Sequence, residues 1–483
     1  MPDLEKKLVE KFAEVLNAAS AKNGRADSKI KRSNEVYARD AARFFLDSVT
    51  PTYNPYLQKE CFYLNCPRLN LPKMNHSGVR IKNLFAAGGQ HYLFGGMIDD
   101  FDSVYLAPFY VDLRKHQIRA ERGGKIDRVR QEYTAEAKDE LEYFIRNEDY
   151  TSIKNKIMPL LKSKFRNGKC AIRIPSYISS NEDDESEIVR MMKDNLRRAS
   201  ALDGLVHDNL LFSGGRYENP SGRAIQIVEY VPNLIDPSNI CKIFNLREIA
   251  KLTKKALQSL VVLNDLGIAH RDIKPDNIFV SQGVRECNLK MSDFDMMRIT
   301  HEGREHGPSS TQTFGLAFKG TPRYASPEHA LDPLNLDVQS DICSLGLTVY
   351  KWWTGYNPIY VSESWKHEVV LGKFEMLVAE EAAKRNNPPV LPTSIESRAV
   401  FNGKRGFFRS RAEKEFEENF QTILTKMIAV DREDRYKTPE EAIADIDAVM
   451  EGLKVKPGIN VYRVFSTSRR DISTSKNRPI VNN

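Results

Sequence analysis

The stretch IAHRDIKPDNIFV, at residues 268–280, decides how this chain is interpreted. It places Asp272 and Asn277 five residues apart with Lys274 between them, and Asp293 follows in MSDFD at residues 291–295. A carboxylate can accept a proton, a lysine can neutralise a moving phosphoryl group, and carboxylate and amide oxygens are ligands that Mg²⁺ prefers. The pattern therefore predicts phosphoryl transfer from a nucleotide. Asp272, Lys274 and Asn277 are the predicted catalytic residues, and Asn277 and Asp293 are the predicted metal ligands.

Length and composition set the limits of this interpretation. The 483 residues are 41% hydrophobic and 28% charged, which is typical of a soluble globular protein with about two to four structural units. The chain has 72 Lys and Arg residues and 65 Asp and Glu residues. This mild excess of positive charge fits an acidic partner but does not require one, and no nucleic acid is expected as a partner. The chain contains neither an apolar run of membrane-spanning length nor a signal-peptide pattern at its start, so we expect no membrane span and a cytoplasmic location.

The stretch at 268–280 resembles the catalytic loop of the eukaryotic-type protein kinase family, in its serine/threonine branch. Further segments continue the resemblance in the family's order. GTPRYASPE at 320–328 is similar to the substrate-docking segment, with Ser326 where the family usually has Ala, and SDICSLG at 340–346 is similar to the helix whose Asp341 holds the catalytic-loop backbone. DREDR at 431–435 contains Arg435, which would pair with Glu328 in a structural ion pair. The resemblance covers roughly residues 80–452.

The resemblance implies an α+β, bilobal protein-kinase-like fold, with a small β-rich N-lobe that carries a helical insertion and a larger α-helical C-lobe. The order of predicted elements, strands first and helices after, agrees with this class. We expect a helical and irregular extension over 1–76 and the N-lobe over 77–231 with an insertion at 108–168. The C-lobe is expected over 232–455, followed by a basic mobile tail over 456–483.

The resemblance also implies a site for ATP with Mg²⁺, or with Mn²⁺ as the alternative metal. AIR at 171–173 matches the family's Ala-Ile-Lys, with Arg173 in the lysine position. Residues 228–231 are similar to the gatekeeper and hinge, whose backbone would bind adenine. The implied nucleotide-contacting residues are Arg173, Val104, Ala171, Glu229, Val231 and Phe279. The acidic partner of Arg173 stays open between Asp194, Glu187 and Glu185.

The phosphate-binding loop is harder to find than the catalytic loop. The preferred alignment puts Phe101 at the loop tip and Val104 on the following strand, which leaves Met97, Asp99 and Asp102 where the family usually has glycine. Each carboxylate would repel a phosphate charge at 4 Å by about 1 kcal/mol even in water. Gly88-Gly89 and Gly95-Gly96 are the alternatives, and residues 93–96, LFGG, are predicted to form a turn.

Regulation is indicated by Arg271, because an arginine beside the catalytic aspartate needs an anion, commonly a phosphorylated side chain. The candidate phosphorylation sites lie in the activation segment, and they are Ser309, Ser310, Thr311 and Thr313. Thr321, which follows this segment, would hydrogen-bond to Asp272 and Lys274, as in the serine/threonine branch.

The predicted function is an ATP- and Mg²⁺-dependent serine/threonine kinase that acts on protein substrates. One alternative is a pseudokinase that serves as a binding or scaffolding module, and another is nucleotidyl transfer or a small-molecule acceptor. The departures from the family pattern favour a divergent member, which would work in a host cytoplasm if it is a viral or bacterial effector. The sequence leaves the oligomeric state open.

Overall fold

The structure is a computed structural model, and it describes a defined set of residues. These are 2–22, 28–54, 57–65, 78–87, 91–99, 162–175, 202, 205, 207–220, 224–283, 286–299, 321–331, 335–355, 410–429 and 431–455. They divide into two compact units, one formed by 1–207 with 211–231 and the other by 208–210 with 232–483.

The first unit consists of two long helices and an antiparallel sheet. The helices are α1, Pro2–Lys22, and α2, Ser28–Ser48. The strands are β1 Val49–Asn54, β2 Lys59–Leu64, β3 Val79–Ala87, β4 His91–Ile98, β5 Lys169–Pro175, β6 Ser213–Glu218 and β7 Ala224–Glu229. In the described part of the chain the sheet has seven strands, in the order β1-β2-β3-β4-β5-β7-β6.

One face of this sheet is covered by α1 and α2. Phe94, at the centre of β4, contacts Phe12 of α1 and Phe44 and Phe45 of α2, with ring centroids 5.8–6.3 Å apart. The same buried cluster takes in Ile172 of β5 and further aliphatic side chains of the sheet. Because burial of aromatic surface is a large driving force for folding, the two N-terminal helices are part of the hydrophobic core of this unit.

The described part of the second unit is mostly helical. Its helices are α3 Ile240–Ile243, α4 Leu246–Asp265, α5 Glu328–Leu331, α6 Val338–Thr354, α7 Arg411–Met427 and α8 Pro439–Met450. Its short strands are β8 Ile268–Ala269, β9 Ile278–Gln282, β10 Cys287–Met291 and β11 Arg298–Ile299. Strand β9 pairs with β10, and β8 pairs with β11, both antiparallel.

Local sequence signals set the ends of the long helices. Asn245 and Glu248 form a reciprocal capping box at the start of α4, and Asp337 accepts hydrogen bonds from the N–H groups of Gln339 and Ser340 at the start of α6. Helix α6 ends at Gly355, whose φ of 77° belongs to the left-handed region that favours glycine. Helix α4 packs against both α6 and α8.

The α+β prediction is confirmed, because a β-rich unit precedes a helical unit along the chain. Among the helices that the structure describes, none has the length and apolar content needed to cross a membrane. The described cysteines, Cys61, Cys170, Cys241, Cys287 and Cys343, are all free thiols.

Two expectations about the first unit were wrong. Part of the extension over 1–76, which was expected to be helical and irregular, forms strands β1 and β2. The described residues of this extension lie in the same compact unit as the rest of the sheet. The LFGG turn predicted at 93–96 lies inside β4, where Gly96 packs so closely that an added Cβ would be 2.5 Å from Sγ of Cys170. Residues 101–161, which hold most of the predicted insertion, and the tail over 456–483 lie outside the described residues.

Candidate active site

The loop that carries the sequence motif runs from the end of β8 to the start of β9. Four of its polar side chains are buried, those of His270, Arg271, Asp272 and Asn277. Burial of polar groups is costly unless they are hydrogen-bonded, so the partners of these side chains define what the loop can do.

The carboxylate of Asp272 lies in a closed set of three contacts. Lys274 Nζ is 2.7 Å from Oδ2, the Thr321 hydroxyl donates to Oδ1 at 2.9 Å, and Lys274 Nζ donates to Thr321 Oγ1 at 2.9 Å. The ammonium group therefore lies beside the carboxylate, and the threonine fixes both. Sequence analysis predicted these three residues together, although Thr321 is 49 residues from Asp272.

Asn277 supports Asp272 from the other end of the loop. Its Nδ2 donates to the backbone carbonyl of Asp272 at 2.8 Å and to its Oδ2 at 3.1 Å. The N–H and hydroxyl of Ser292 both donate to the carbonyl oxygen of Asn277, at 2.8 and 3.0 Å. Asp293, the next residue, has the left-handed backbone angles φ 64° and ψ 67°. These contacts bring the segment that contains Asp293 to Asn277.

The oxygen donors of Asn277 and Asp293 match the ligand chemistry of a hard divalent cation. Because the Asn277 amide nitrogen is used on Asp272, its Oδ1 is the atom that remains for a metal. In the part of the chain that the structure covers, no group of three or more His, Cys, Asp or Glu side chains could hold a metal ion. Asn277 and Asp293 would therefore offer a metal one amide oxygen and one carboxylate.

The backbone of the loop is held by Asp341 of α6. Its carboxylate accepts hydrogen bonds from the N–H groups of His270 at 2.7 Å and Arg271 at 2.9 Å. Burial raises the pKa of the Asp341 carboxyl to about 6, although His270 and the two N–H groups act in the opposite direction. Arg271 has a φ of 71°, and this unfavourable angle is kept in place by the surrounding hydrogen bonds.

A buried ion pair joins the start of α5 to the segment before α8. Arg435 Nη1 and Nη2 are 2.5 and 3.0 Å from the two carboxylate oxygens of Glu328, and Ser340 Oγ donates to Oε1 at 2.9 Å. Burial alone would raise the pKa of the Glu328 carboxyl, but the hydrogen bonds and charge of Arg435 outweigh it and the pKa is lowered.

In the β-rich unit, strand register shows which side chains share a face with Arg173. Arg173 is paired with Leu93 of β4 and Gln226 of β7, and Ala171 is paired with Gly95 and Val228. Directly paired residues of antiparallel strands point to the same side of a sheet. Phe94 and Ile172, each next in sequence to one of the paired residues, face the core under α1 and α2. Because side chains alternate along a strand, Arg173, Ala171 and their partners lie on the opposite face of the sheet.

Arg173 and Glu229 each have a described contact within the sheet. Arg173 Nη1 donates to Gln226 Oε1 at 3.3 Å. The Glu229 carboxylate accepts from the N–H of Phe212 at 2.8 Å, while the Glu229 N–H donates to the Phe212 carbonyl at 3.0 Å. The Glu229 side chain therefore holds the residue directly before β6. Val231, two residues after Glu229, is half-buried.

A family model for the protein kinase domain matches residues 175–445, which is more than half of the chain. The chain belongs to the protein kinase family. The resemblance inferred from the sequence is confirmed.

The kinase is similar to several bacterial and animal serine/threonine kinases. It is 34% identical over 107 residues to serine/threonine-protein kinase pkn2 of Myxococcus xanthus, covering 22% of this chain and 12% of that protein. It is 29% identical over 261 residues to serine/threonine-protein kinase PknB of Mycolicibacterium smegmatis, covering 53% and 36%. It is 30% identical over 138 residues to MAP kinase-activated protein kinase 2 of Oryctolagus cuniculus, covering 27% and 35%. The chain thus spans about a third or less of the length of these relatives.

Among solved structures, the kinase is similar to the kinase domain of PknI from Mycobacterium tuberculosis. The match has a TM-score of 0.40 and 12% sequence identity, and it covers 77% of this chain and 96% of that chain.

The preferred alignment of the kinase's phosphate-binding loop was wrong. Met97 lies within β4, paired with Lys169. Asp99, directly after β4, forms a bidentate ion pair with Arg80 and accepts a hydrogen bond from the Tyr63 hydroxyl at 2.7 Å. Strands β3 and β4 form the hairpin next to the strand of Arg173, and residues 88–90 connect them. Gly88-Gly89, the first of the alternatives, lies between these two strands and outside the described residues, and its role stays a prediction.

Sequence analysis did not name Leu93, which lies on the same face of the sheet as Arg173. Strand β4 is one of the two neighbours of β5, and Leu93 lies opposite Arg173. The alternation of Tyr92 and Phe94 with Leu93 was the available signal, since it is typical of a strand with one buried face. It was obscured by the neighbouring glycines, which suggested a turn.

Other predicted site residues of the kinase cannot be compared with the structure. Val104, Ser309, Ser310, Thr311 and Thr313 lie outside the described residues, and so do Glu185, Glu187 and Asp194. Phe279 is half-buried on β9, opposite Lys290, and its contact with nucleotide stays a prediction.

Proposed function

We propose that this kinase transfers the γ-phosphoryl group of ATP to serine and threonine hydroxyls of protein substrates in the cytoplasm, with Mg²⁺ or Mn²⁺ as its metal. The closed contact between Asp272, Lys274 and Thr321 carries the proposal. It supplies a proton acceptor and a cation in a fixed relation, as phosphoryl transfer requires.

Asp272 is proposed to orient the incoming hydroxyl and to accept its proton. Contacts from Lys274, Thr321 and Asn277 fix both carboxylate oxygens, so the acceptor does not need to reorganise when the substrate binds. Lys274 would neutralise negative charge on the moving phosphoryl group. The assignment to hydroxyl-bearing serine and threonine rests on Lys274 and Thr321, which resemble the serine/threonine branch.

Asn277 and Asp293 are proposed to hold the divalent metal through oxygen atoms. The hydrogen bonds from Ser292 to the Asn277 carbonyl support this role, because they fix the segment before Asp293 against the loop. When bound, the metal neutralises charge on the nucleotide phosphates.

On the β-rich unit, we propose that Ala171, Val228 and Leu93 contact the adenine and that Arg173 contacts phosphate. An arginine keeps the positive charge of the usual lysine and can bind phosphate through two N–H groups, although its planar group is longer. The hydrogen bond to Gln226 supports an ordered guanidinium at this position.

A pseudokinase is the second candidate, and Arg173 is the observation that favours it. Replacing the family's lysine with arginine impairs the positioning of phosphate more than nucleotide affinity. In that case the chain would bind partners without phosphoryl transfer.

Incubation of the purified full chain with ATP, Mg²⁺ and a basic protein substrate, followed by mapping of phosphorylated residues, tests the proposal. We expect phosphoserine or phosphothreonine with the wild type and none with Asp272→Ala, while a titration with a fluorescent ATP analogue shows that the variant still binds nucleotide. Asp434→Ala, which removes an exposed carboxylate elsewhere in the same unit, is the matched control and should behave like the wild type.

Two results would overturn the proposal. Incorporation that persists in Asp272→Ala would remove the role given to that residue. No incorporation by the wild type with either Mg²⁺ or Mn²⁺ would favour the pseudokinase, whereas ATP consumption without phosphorylated protein would favour a different acceptor.

A further inference from the structure

Two buried polar side chains, Ser326 and His329, lie against the catalytic loop and have no part in the function proposed above. Both are almost completely inaccessible to solvent, with 0% and 1% of their surface exposed. Buried polar groups at this depth are kept by specific hydrogen bonds, so the partners of the imidazole ring are informative.

The hydrogen bonds define the tautomer of the His329 ring. The backbone N–H of Ser326 lies 3.2 Å from Nδ1, and since an N–H group can only donate, Nδ1 must be the unprotonated nitrogen. The Ser326 hydroxyl is 2.7 Å from the same nitrogen. The proton is therefore on Nε2, which donates to the backbone carbonyl oxygen of Arg271 at 3.1 Å.

This carbonyl belongs to the peptide bond that leads into Asp272. The N–H of Arg271 is held by Asp341 at 2.9 Å, and the carbonyl is held by His329. Arg271 has a φ of 71°, so its conformation depends on these surrounding contacts. Together the two side chains fix the orientation of the residue directly before Asp272.

We propose that His329, oriented by Ser326, is a positioning residue that aligns Asp272 through the carbonyl group of Arg271. This inference rests on the proposed kinase function. The sequence supports it in one respect: Ser326 stands where the family usually has alanine, and its hydroxyl is the group that lies closest to Nδ1.

The environment of the ring favours its neutral form. Burial lowers the pKa of His329 to about 4, and the charge of Arg271 acts in the same direction, while the hydrogen bond to the Arg271 carbonyl and the charges of Glu328 and Asp272 oppose it. A proton on Nδ1 would face the N–H of Ser326 at 3.2 Å, so the neutral ring protonated at Nε2 is the form that keeps this hydrogen bond.

Two amide substitutions separate positioning from simple packing. The amide nitrogen of His329→Gln reaches about as far as Nε2 and can donate to the Arg271 carbonyl, whereas the amide of His329→Asn ends near Nδ1 and cannot reach it. We expect the Asn variant to lose about tenfold to a hundredfold in kcat with little change in the KM for ATP. The Gln variant should retain most of the wild-type kcat, and kcat is compared at a temperature at which thermal unfolding shows both variants to be folded.

A second measurement does not depend on activity. In the full chain labelled with ¹⁵N-histidine, we expect the His329 ring nitrogens to show the neutral tautomer protonated at Nε2, and Ser326→Ala should shift the Nδ1 resonance.

The outcomes of these experiments are distinguishable. Equal kcat values for the Asn and Gln variants, or a ring protonated at Nδ1, would overturn the positioning role. A wild type that transfers no phosphate would overturn the proposed function, and the tautomer would then decide the geometric part of the inference by itself.

Discussion

At the scale of single residues, two buried carboxylates in the helical unit have pKa shifts of opposite sign. Glu328 faces the guanidinium of Arg435, which more than offsets burial, and its pKa is lowered. The pKa of Asp341 is raised to about 6 because its described hydrogen-bond partners are backbone N–H groups, which offset burial only in part. The nature of the partner therefore decides the direction in which the pKa of a buried acid is shifted.

Breaking the Glu328–Arg435 pair should destabilise the protein. Glu328→Gln leaves Arg435, whose side chain is fully buried, without its anionic partner, and such a change typically costs about 3–5 kcal/mol. Denaturant unfolding measures this loss. Glu433→Gln removes the exposed Glu433–Lys437 pair and is the matched control, for which we expect no measurable change. Equal effects of the two substitutions would contradict the assignment.

The same pair predicts a pH dependence. The folded-state pKa of Glu328 is lower than its ordinary value of 4.5, so its stabilising contribution is present above pH 4.5 and is lost as the pH falls through the folded-state pKa. Unfolding free energies of the wild type and Glu328→Gln should therefore converge below pH 4.5. A difference that stays constant down to about pH 3 would show that Glu328 does not titrate with folding.

The residues around Asp272 could be predicted from the sequence because most of them lie close together along the chain and have distinctive chemistry. Thr321 could be predicted only through the family resemblance. His329 could not be predicted, because its role depends on the direction of one ring nitrogen toward the carbonyl of Arg271, which no sequence pattern records.

At the scale of secondary-structure elements, strand β4 shows why glycine pairs mislead. Gly95-Gly96 suggested a turn, yet Gly96 lies inside the strand because the side chains of Cys170 and Ile172 occupy the space where its Cβ would be. Strand β1 was missed for a related reason. It contains Pro51, and proline is tolerated there because β1 is at the edge of the described sheet.

Filling the space at Gly96 should destabilise the sheet. A Cβ at this position would lie 2.5 Å from Sγ of Cys170 and 3.0 Å from Cδ1 of Ile172, and overpacking of this kind costs about 1–3 kcal/mol. We expect Gly96→Ala to lower the thermal unfolding temperature. In the double variant with Cys170→Ala, the cost of the added methyl group should fall, because the closest atom is removed. Additive effects would contradict the close contact.

At the scale of the whole molecule, the family match begins at residue 175, after most of the sheet. Helices α1 and α2 and strands β1 to β4 lie entirely before it, yet they complete the core of the first unit. Sequence analysis indicated helices in this extension, but it could not predict that their aromatic side chains would surround Phe94. Contacts between distant segments depend on strand order, which composition and periodicity do not specify.

The N-terminal helices should therefore be required for the stability of the β-rich unit. Phe12 of α1 is buried against Phe94 and Phe45, and Phe12→Ala should cost about 3–5 kcal/mol in the free energy of unfolding. Val36→Ala is the control, because Val36 lies on α2 with 49% of its surface exposed and should have little effect. If Phe12→Ala unfolds at the same temperature as the wild type, the helices are not part of the core.

Arg173 has a consequence for chemical detection of nucleotide binding. Reagents that deliver an acyl group from a nucleotide label primary amines, and a guanidinium, which stays protonated in proteins, is a poor target for them. At this position on β5 such a reagent would find a guanidinium hydrogen-bonded to Gln226. Absence of labelling at position 173 would therefore say nothing about whether the chain binds ATP, whereas Arg173→Lys would introduce an amine there that such a reagent could report.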